Sequence, residues 1–513
     1  MQAAPNPAPT ADFSQLQGEN RRLRETVSQL QVDLHDMQAL LRYFQRLPFS
    51  PSSERDFPNQ PLLIQDTPET TPESKAAANE DSTDVKGHKR KKKRPTIPPD
   101  APREVRVHDI PDAEKFCPEH GVPLEKDGER VTEKVEFIPA HIRVIQDVCL
   151  TYGCPVCDKT VKAAEPPPSP IPGSIATPSL LAHIATAKFA DGLPLYRQEK
   201  ILQRYGLDLT RTTMATWMGH LGTLLAPLYN LFADTMVLGP VLYIDETTHQ
   251  VLKTDKKPTS KSYMWIRVGG VDGQKVVLFH FSTTRSGSVA KDLLEGFKGH
   301  VMTDGYDGYN IIEGMDGIIR MQCWMHARRY YKKAVKVLGK AGKGGIADQA
   351  LAKIRALYAI ERDCAEMTAE ERHQVRLDRS KPLLDAFRPW LEAAMKDVPP
   401  QSVTGKAINY TLVRWDQLVI YLAAGHLKMD NGPAENAIRP FAVGRNSWLF
   451  SDTIGGAEAS AVLYSIIETA KANGKEPLAY LTRVIEHLPQ AKTLADIEAL
   501  LPWTKAPPIK GSS

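Results

Sequence analysis

A chain of 513 residues is much longer than one ordinary hydrophobic core requires, and its length predicts about three domains. The 65 basic and 61 acidic side chains leave a net charge of only +4, so contact with nucleic acid has to come from local basic clusters. Six cysteines are too few for a disulfide scaffold. No run of about 18 apolar residues and no N-terminal signal pattern is present, so we expect a cytoplasmic protein without membrane contact.

The first periodic segment, residues 12–46, predicts a coiled coil. Its heptad seam is formed at the a positions by Phe13, Asn20, Val27, Leu34 and Leu41, and at the d positions by Leu16, Leu23, Leu30, Met37 and Phe44. Such a seam is buried by pairing, and one Asn at an a position favours a parallel two-stranded register. We therefore expect homodimerisation or a higher oligomer. The alternative is an amphipathic helix packed on its own globule.

Residues 47–103 are predicted to be a disordered linker, because they are rich in Pro, Ser, Thr and acidic residues and cannot bury enough apolar surface to fold. The linker ends in a basic run of six residues: Lys89, Arg90, Lys91, Lys92, Lys93 and Arg94. This run either binds DNA phosphates or is a solvated tract without a fixed partner, and the neighbouring segments favour DNA.

Two ligand pairs, each with a two-residue gap, predict a zinc-binding domain at residues 104–165: Cys117 with His120 and Cys154 with Cys157. The tight turn within each pair lets both ligands reach one tetrahedral ion, and three thiolates with one imidazole form a closed structural Zn²⁺ site. Cys149 is an alternative fourth ligand, and cysteines packed as small hydrophobic residues are the alternative to zinc. We expect a zinc ribbon that stabilises a DNA-binding module and performs no chemistry.

Residues 173–235 predict a helical domain that binds DNA. Three helices are expected, at Ser179–Phe189, Tyr196–Tyr205 and Thr212–Leu224. A short turn between the second and third, with Arg211 at the entrance of the third, is typical of a helix-turn-helix whose last helix enters a major groove. A plain helical subdomain gives the same pattern.

The next segment, residues 236–333, predicts strand, strand, strand, helix, strand. The corresponding ranges are Val241–Ile244, Tyr263–Val268, Lys275–Ser282, Ser288–Phe297 and His300–Thr303. The first strand is expected to end on Asp245 and the fourth on Asp304. Two aspartates at close quarters repel each other unless a divalent cation lies between them.

Residues 334–425 predict an α-helical insertion, with a capping box at Thr368–Glu371. At its entrance one helical face is basic and could follow a DNA backbone, although a solvated face is the ordinary explanation. The basic residues are Arg328, Arg329, Lys332, Lys333 and Lys336. Cys323 and His326 on the same helix are too few for a metal site, and a packed or supporting role near Asp304 is preferred.

A third carboxylate is provided by Glu435, in a segment where Pro433 suits the first turn of a helix. Arg439 lies one turn further on the same face and can pair with phosphate, and Arg445 is expected near the same site. Residues 426–490 are predicted to complete the catalytic core with two closing helices. Residues 491–513 are a predicted tail.

Four ordered motifs, YIDET (243–247), TDGYDGYN (303–310), CWMHARR (323–329) and NGPAENAIRP (431–440), resemble the insertion-sequence-66 family of bacterial DDE transposases. The resemblance extends from the leucine-rich N-terminus to about Pro489. It implies a ribonuclease H-like α/β domain in which the first and fourth strands lie side by side, and a catalytic triad of Asp245, Asp304 and Glu435. The family usually has cysteine where His120 stands, and histidine is an equally competent zinc ligand.

The resemblance implies a multidomain α+β transposase that holds two Mg²⁺ or Mn²⁺ ions and acts on double-stranded DNA of the element ends and the target. Water cuts one strand at an element end, and the freed 3′-hydroxyl attacks target DNA. In a bacterial cytoplasm such a protein is expected on the nucleoid when bound to DNA. A metal-dependent nuclease and a catalytically silent DNA-binding regulator are the alternatives. End sequence, target preference, accessory proteins and a role for Asp430 or Glu246 stay open.

Overall fold

The computed structural model describes residues 166–504 apart from 256, 258–259 and 340–343, together with 142–153, 161–164 and the scattered positions 22–24, 26–27, 30–31, 34, 38, 105, 119–120 and 122–123. Residues 1–52 and 144–513 belong to one compact unit and 53–143 to another. Every helix and strand given below lies in the first unit.

The predicted N-terminal modules fall largely outside the described residues. The described positions between 22 and 38 are helical, and their seam residues Leu23, Val27, Leu30 and Leu34 are exposed. The rest of the seam, the basic run 89–94, and the cysteines at 117, 154 and 157 lie outside the described part of the chain. The coiled coil, the basic run and the zinc site therefore stay predictions.

The described chain begins with a two-stranded antiparallel sheet and three helices. The strands are β1 (Thr151–Gly153) and β2 (Val161–Ala163). The helices are α1 (Pro178–Phe189), α2 (Leu195–Arg204) and α3 (Arg211–Val237). Thr177 and Thr210 cap α1 and α3 through their side-chain oxygens, as short polar residues at N-caps commonly do.

Helix α3 is longer than predicted, because its second half is buried against the main sheet and a later helix. At Gly222 an added Cβ would lie 2.6 Å from the Cβ of Ala459, so the two helix backbones approach closely. Further along, the Tyr229 hydroxyl donates to the Phe279 carbonyl over 2.9 Å. These contacts stabilise a helix that extends 13 residues beyond the predicted Leu224 end.

The main sheet contains five strands in the order β5-β4-β3-β6-β7 and a sixth, β8, paired with the far end of β3. Strands β3, β4 and β5 are antiparallel neighbours, whereas β6 and β7 run parallel to β3. A helix, α4 (Gly287–Leu293), connects β5 to β6. The strands are β3 (Val241–Lys253), β4 (Ser262–Val271), β5 (Gln274–Ser282), β6 (Gly299–Thr303), β7 (Ile318–Gln322) and β8 (Phe450–Thr453).

The predicted ends of one strand and one helix in this region were wrong. Strand β3 does not end at Asp245, because it continues to pair with β4 as far as His249 and then with β8. Helix α4 ends at Leu293 instead of Phe297, and Gly296 in the connection to β6 adopts a left-handed φ of +77°. The predicted pairing of the first and fourth strands is confirmed by the parallel pairing of β3 with β6.

The described part of the region between β7 and residue 424 consists of helices joined by short turns and loops. It contains α5 (Trp324–Leu338), α6 (Ile346–Asp363), α7 (Ala369–Val375), a π-helical turn (Arg376–Ser380), α8 (Lys381–Asp397), α9 (Val403–Val413), α10 (Trp415–Leu418) and a 3₁₀ turn (Ile420–Ala423). The predicted capping box at Thr368 and Glu371 is present. Between α9 and α10 the helical path breaks at Arg414, whose side chain reaches the Gly305 carbonyl.

The second of the last helices covers the β5 edge of the main sheet. These last helices are α11 (Gly432–Trp448), α12 (Ile454–Ala472), α13 (Pro477–His487) and α14 (Leu494–Glu498). Ser465 and Thr469 of α12 accept hydrogen bonds from the Phe279 and Val277 amides over 2.7 and 3.0 Å. Side chains thus replace a neighbouring strand along β5 and protect its edge from intermolecular pairing. Among the described residues no helix is both long and apolar enough to cross a membrane.

Candidate active site

Asp245 and Asp304 occupy equivalent positions on two neighbouring parallel strands. Tyr243 of β3 pairs with Met302 of β6, and each aspartate lies two residues beyond its member of this pair. Because side chains alternate across a strand, residues two apart share a face of the sheet. The register therefore directs both carboxylates to the same side, at the point where the β3–β6 pairing ends.

The carboxyl group of Asp245 is difficult to ionise at this position. Burial raises its pKa to about 7, and the neighbouring charge of Glu246 and, less strongly, those of Asp304 and Glu435 act in the same direction. One hydrogen bond, from the Glu246 amide to Oδ1 over 2.9 Å, opposes this increase. Three neighbouring carboxylates thus disfavour a negative charge on Asp245.

Asn431 brings the helix of Glu435 to this point. It is fully buried, and its side-chain amide donates to the carbonyl of Ile244 over 2.9 Å, one residue before Asp245. Its backbone amide donates to Sγ of Cys323 over 3.2 Å. Helix α11 therefore begins against both β3 and the start of α5, and Glu435 lies in its first turn.

Glu435 is held by two residues of α5. Arg329 donates to its Oε2 over 2.7 Å, and Nδ1 of His326 lies 3.8 Å from its Oε1. Oε1 is buried and has no hydrogen-bond partner in the described residues, and the same holds for Nδ1 of His326. With Cys323, these two side chains form a group whose ligand atoms lie within 4.8 Å of one another.

Cys323 has a structural role in this group. Burial raises its thiol pKa to about 12, which favours the neutral thiol in the metal-free protein. Its Sγ accepts the hydrogen bond from the Asn431 amide. The packed role that the sequence favoured for Cys323 agrees with these contacts.

A second cluster lies on the opposite face of β3 and was not identified from the sequence. The Glu246 side chain is only 1% exposed, forms an ion pair with Arg285 and accepts a hydrogen bond from the Tyr309 hydroxyl. Arg285 also lies 3.9 Å from Asp304 and stacks on the ring of Tyr306, 3.8 Å from its centroid. The alternation Asp245-Glu246 on a strand was the available signal that the second carboxylate points away from the first.

The loop after β6 is fixed by two arginines. Arg320, which is buried, donates to the hydroxyl of Thr303 and to the carbonyls of Asp304 and Tyr306 over 3.1 to 3.4 Å. Arg414 donates to the Gly305 carbonyl over 3.0 Å. Any side chain at position 305 would collide with the ring of Tyr410, so the loop requires glycine there. Asp304 is thus presented by a rigid segment, and Oδ1 accepts from the Tyr306 amide over 2.9 Å.

The other predicted site residues are distributed over the surface. Asp430 accepts from the Tyr358 hydroxyl over 2.9 Å and from the Gly432 amide at the start of α11 over 3.1 Å, so both of its carboxylate oxygens have partners. Arg445 donates to the carbonyl of Thr248 and so holds α11 against β3. The remaining basic candidates are exposed or half-buried: Arg211, Arg328, Arg329, Lys332, Lys333 and Arg439.

The three carboxylates fit a divalent cation. Asp245 resists ionisation because it is buried and because other carboxylates lie around it, and a buried oxygen of Glu435 has no hydrogen-bond partner among the described residues. A cation bound here would compensate the negative charge around Asp245 and give the Glu435 oxygen a partner. Carboxylate oxygens are the ligands that Mg²⁺ and Mn²⁺ accept.

Sequence comparisons give three family matches. The profile of the transposase IS66 family matches residues 173–459, that of the IS66 C-terminal element matches 465–503, and that described as transposase C of IS166 homeodomain matches 36–106. Similar curated proteins include three uncharacterized proteins of Sinorhizobium fredii. Protein y4jD is 30% identical over 94% of this chain and 97% of its own length, y4qI is 31% identical over 75% and 72%, and y4hP is 30% identical over 83% and 80%.

Proposed function

Because the chain belongs to the IS66 family of transposases, we propose that it cuts DNA at the ends of its element and joins these ends to target DNA through a DDE triad. The triad consists of Asp245, Asp304 and Glu435. The sheet order, with the first and fourth strands paired in parallel, supports a ribonuclease H-like catalytic domain.

The observation that carries the proposal is the double anchor of Asn431. Asp245 and Glu435 are 190 positions apart in the chain, and the helical insertion separates them. The hydrogen bonds of Asn431 to Ile244 and Cys323 nevertheless fix the helix of Glu435 next to the strand of Asp245. A purely structural carboxylate would not need its helix to begin against β3.

The chain's own residues supply binding and orientation. Asp245, Asp304 and Glu435 would hold the divalent cations, which when bound activate water and neutralise charge at phosphorus. Arg320 and Arg414 keep the loop of Asp304 in place, and the ion pair of the buried Glu246 with Arg285 supports it from the other face of β3. Both reaction steps are in-line displacements, so no Ser or Tyr nucleophile of the protein is required.

The remaining modules complete the proposal. Residues 12–46 would pair two protomers, residues 104–165 would bind structural Zn²⁺, and residues 173–235 would contact DNA with Arg211 at the start of α3. The homeodomain match at 36–106 suggests DNA binding for the segment that carries the basic run. The exposed basic face of α5 lies beside Glu435 and would follow the DNA backbone through Arg328, Arg329, Lys332 and Lys333.

The test uses purified protein and a labelled DNA fragment that carries both ends of the insertion sequence encoding the chain, with Mg²⁺ and an unlabelled target plasmid. We expect native protein to nick the ends and to produce joined strands. Glu435→Gln keeps the side-chain size and removes a ligand charge, so this variant should bind the ends and yield neither product.

Three results would contradict the proposal. Nicking without joining would indicate a nuclease, and equal activity of native protein and Glu435→Gln would exclude Glu435 from the triad. If both proteins bind the ends and neither acts, also when crude extract of the host cell is added, the chain is a DNA-binding regulator.

A further inference from the structure

Two buried atoms beside the proposed triad face each other without a protein partner. Nδ1 of His326 and Oε1 of Glu435 are 3.8 Å apart, too far for a hydrogen bond, and neither has a partner among the described residues. Leaving a buried polar atom unpaired is costly, and native proteins rarely do so. The gap between these two atoms could therefore be filled by a bound species that pairs with both of them.

The separation suits one metal ion. Two ligands that each lie about 2.1 Å from the same cation are at most about 4.2 Å apart. The 3.8 Å between Nδ1 and Oε1 satisfies this limit. We propose that His326 is a fourth protein ligand, which together with Glu435 holds one of the divalent cations of the triad. This inference rests on the proposed function and adds a nitrogen ligand to it.

Arg329 stabilises His326 and Glu435 when no ion is bound between them. Its guanidinium contacts Oε2 of Glu435 over 2.7 Å and Nε2 of His326 over 3.1 Å. Arginine only donates, so Nε2 accepts and the neutral ring carries its proton on Nδ1, directed at Glu435. A cation on Nδ1 requires the proton on Nε2 instead, and Arg329 then has to leave the ring. Its side chain is 55% exposed, which leaves room for this movement.

The combination of an imidazole nitrogen with carboxylate oxygens favours one kind of metal ion over another. Imidazole nitrogen is a better ligand for transition metals than for Mg²⁺, whereas carboxylates accept both. Mn²⁺ accepts oxygen and nitrogen ligands together. The site is therefore expected to bind Mn²⁺ more tightly than Mg²⁺, and Mn²⁺ offers a spectroscopic probe that reports bound nitrogen directly.

The experiment measures electron spin echo modulation of Mn²⁺ bound to the full-length native protein without a histidine tag. We expect ¹⁴N modulation from one imidazole, and its replacement by a ¹⁵N pattern when the protein is produced with ¹⁵N-labelled histidine. The modulation should disappear in His326→Gln and persist in His426→Gln, a matched exchange at an exposed histidine. If His326→Gln fails to fold, native protein that binds Mn²⁺ without any ¹⁴N modulation still overturns the proposal, because then no histidine contacts the ion.

The outcomes separate this inference from the proposed function. In one outcome, Mn²⁺ binds without nitrogen modulation, and Asp245→Asn weakens its binding. This result would overturn the role of His326 and leave the triad intact. Nitrogen modulation that His326→Gln retains would also overturn it. If native protein binds no Mn²⁺ in a manner that depends on Asp245, the proposed triad fails and the inference fails with it.

Discussion

Arg329 neutralises Glu435 across 106 positions of sequence, with 2.7 Å between the guanidinium Nη2 and the carboxylate Oε2. The contact places a protein cation where the proposed function requires a metal ion. Arg329 lies on the exposed basic face of α5, so the same side chain can move to a DNA phosphate. Under the proposed function, the ion pair would link DNA contact to the charge on Glu435.

Removing this competing cation should strengthen metal binding. We predict that Arg329→Gln binds Mn²⁺ up to roughly fivefold more tightly than native protein, because a partly exposed ion pair is worth at most about 1 kcal/mol. Isothermal titration in the absence of DNA measures the difference. Arg328→Gln is the control, since Arg328 contacts the sulfur of Met325 and not Glu435. Equal affinities of the two variants would show that Arg329 does not compete with the ion.

The anchor of α11 gives a second prediction. Asn431→Ala removes the hydrogen bond to Ile244 and leaves that buried carbonyl with one partner fewer, which we expect to cost about 1–3 kcal/mol of unfolding free energy. Cleavage should fall as well, because the first turn of α11 carries Glu435. Denaturant unfolding and cleavage rates measure both effects. Asn436→Ala, at an exposed position of the same helix, should change neither. An active and fully stable Asn431→Ala variant would refute the anchoring role.

The titration of Asp245 gives a third prediction, for metal-free protein. Its pKa is about 7 in the folded chain and lower in the unfolded chain, so folding favours the protonated form. The stability that this group contributes is therefore lost as pH rises from about 4 to 7. Asn at position 245 cannot ionise, so Asp245→Asn should melt higher than native protein, with a difference that grows between pH 5 and pH 8.

The thermal melts need two comparisons. Asp307→Asn, at a carboxylate that is 87% exposed, should show no such pH dependence. Mg²⁺ should raise the melting temperature of native protein and have little effect on Asp245→Asn. A constant difference between native protein and Asp245→Asn across this pH range would contradict the raised pKa.

Much of the sheet could be predicted from the sequence, because short apolar runs and glycine turns are local signals. The positions of Asp245 and Asp304 followed from where these runs stop. The length of β3 could not be predicted, since residues 246–250 are polar and the strand continues through them to Lys253 because β4 and β8 pair with it. Local sequence carries no information about partners that distant.

The contacts around Glu435 could not be predicted from the sequence either. Its helix was recognisable from Pro433, and its membership of a triad came from the family resemblance. The pairing with Arg329 and the proximity of His326 depend on how α5 and α11 pack, which no local pattern specifies. The sequence indicated no third metal ligand near Cys323 and His326, whereas in the folded chain Glu435 lies beside them.

The packing of α3 gives a fourth prediction, which tests whether this helix belongs to the same folded body as the sheet. Gly222→Ala should destabilise the protein by about 1–3 kcal/mol, because the added Cβ would lie 2.6 Å from the Cβ of Ala459. Gly219→Ala, three residues earlier with nothing within 4 Å, should stabilise it by up to about 1 kcal/mol. Chemical denaturation of both variants measures the contrast, and equal effects would contradict the close helix contact.

The most direct test of the DDE triad compares two aspartates of one loop. Asp304→Asn and Asp307→Asn make the same chemical change three residues apart, and only Asp304 points to the proposed metal site. With Mg²⁺ and labelled end DNA, we predict that Asp304→Asn cleaves at least about a hundredfold more slowly than native protein while binding DNA normally. Asp307→Asn should cleave at the native rate. If Asp304→Asn cleaves as fast as Asp307→Asn, Asp304 is not part of the catalytic site.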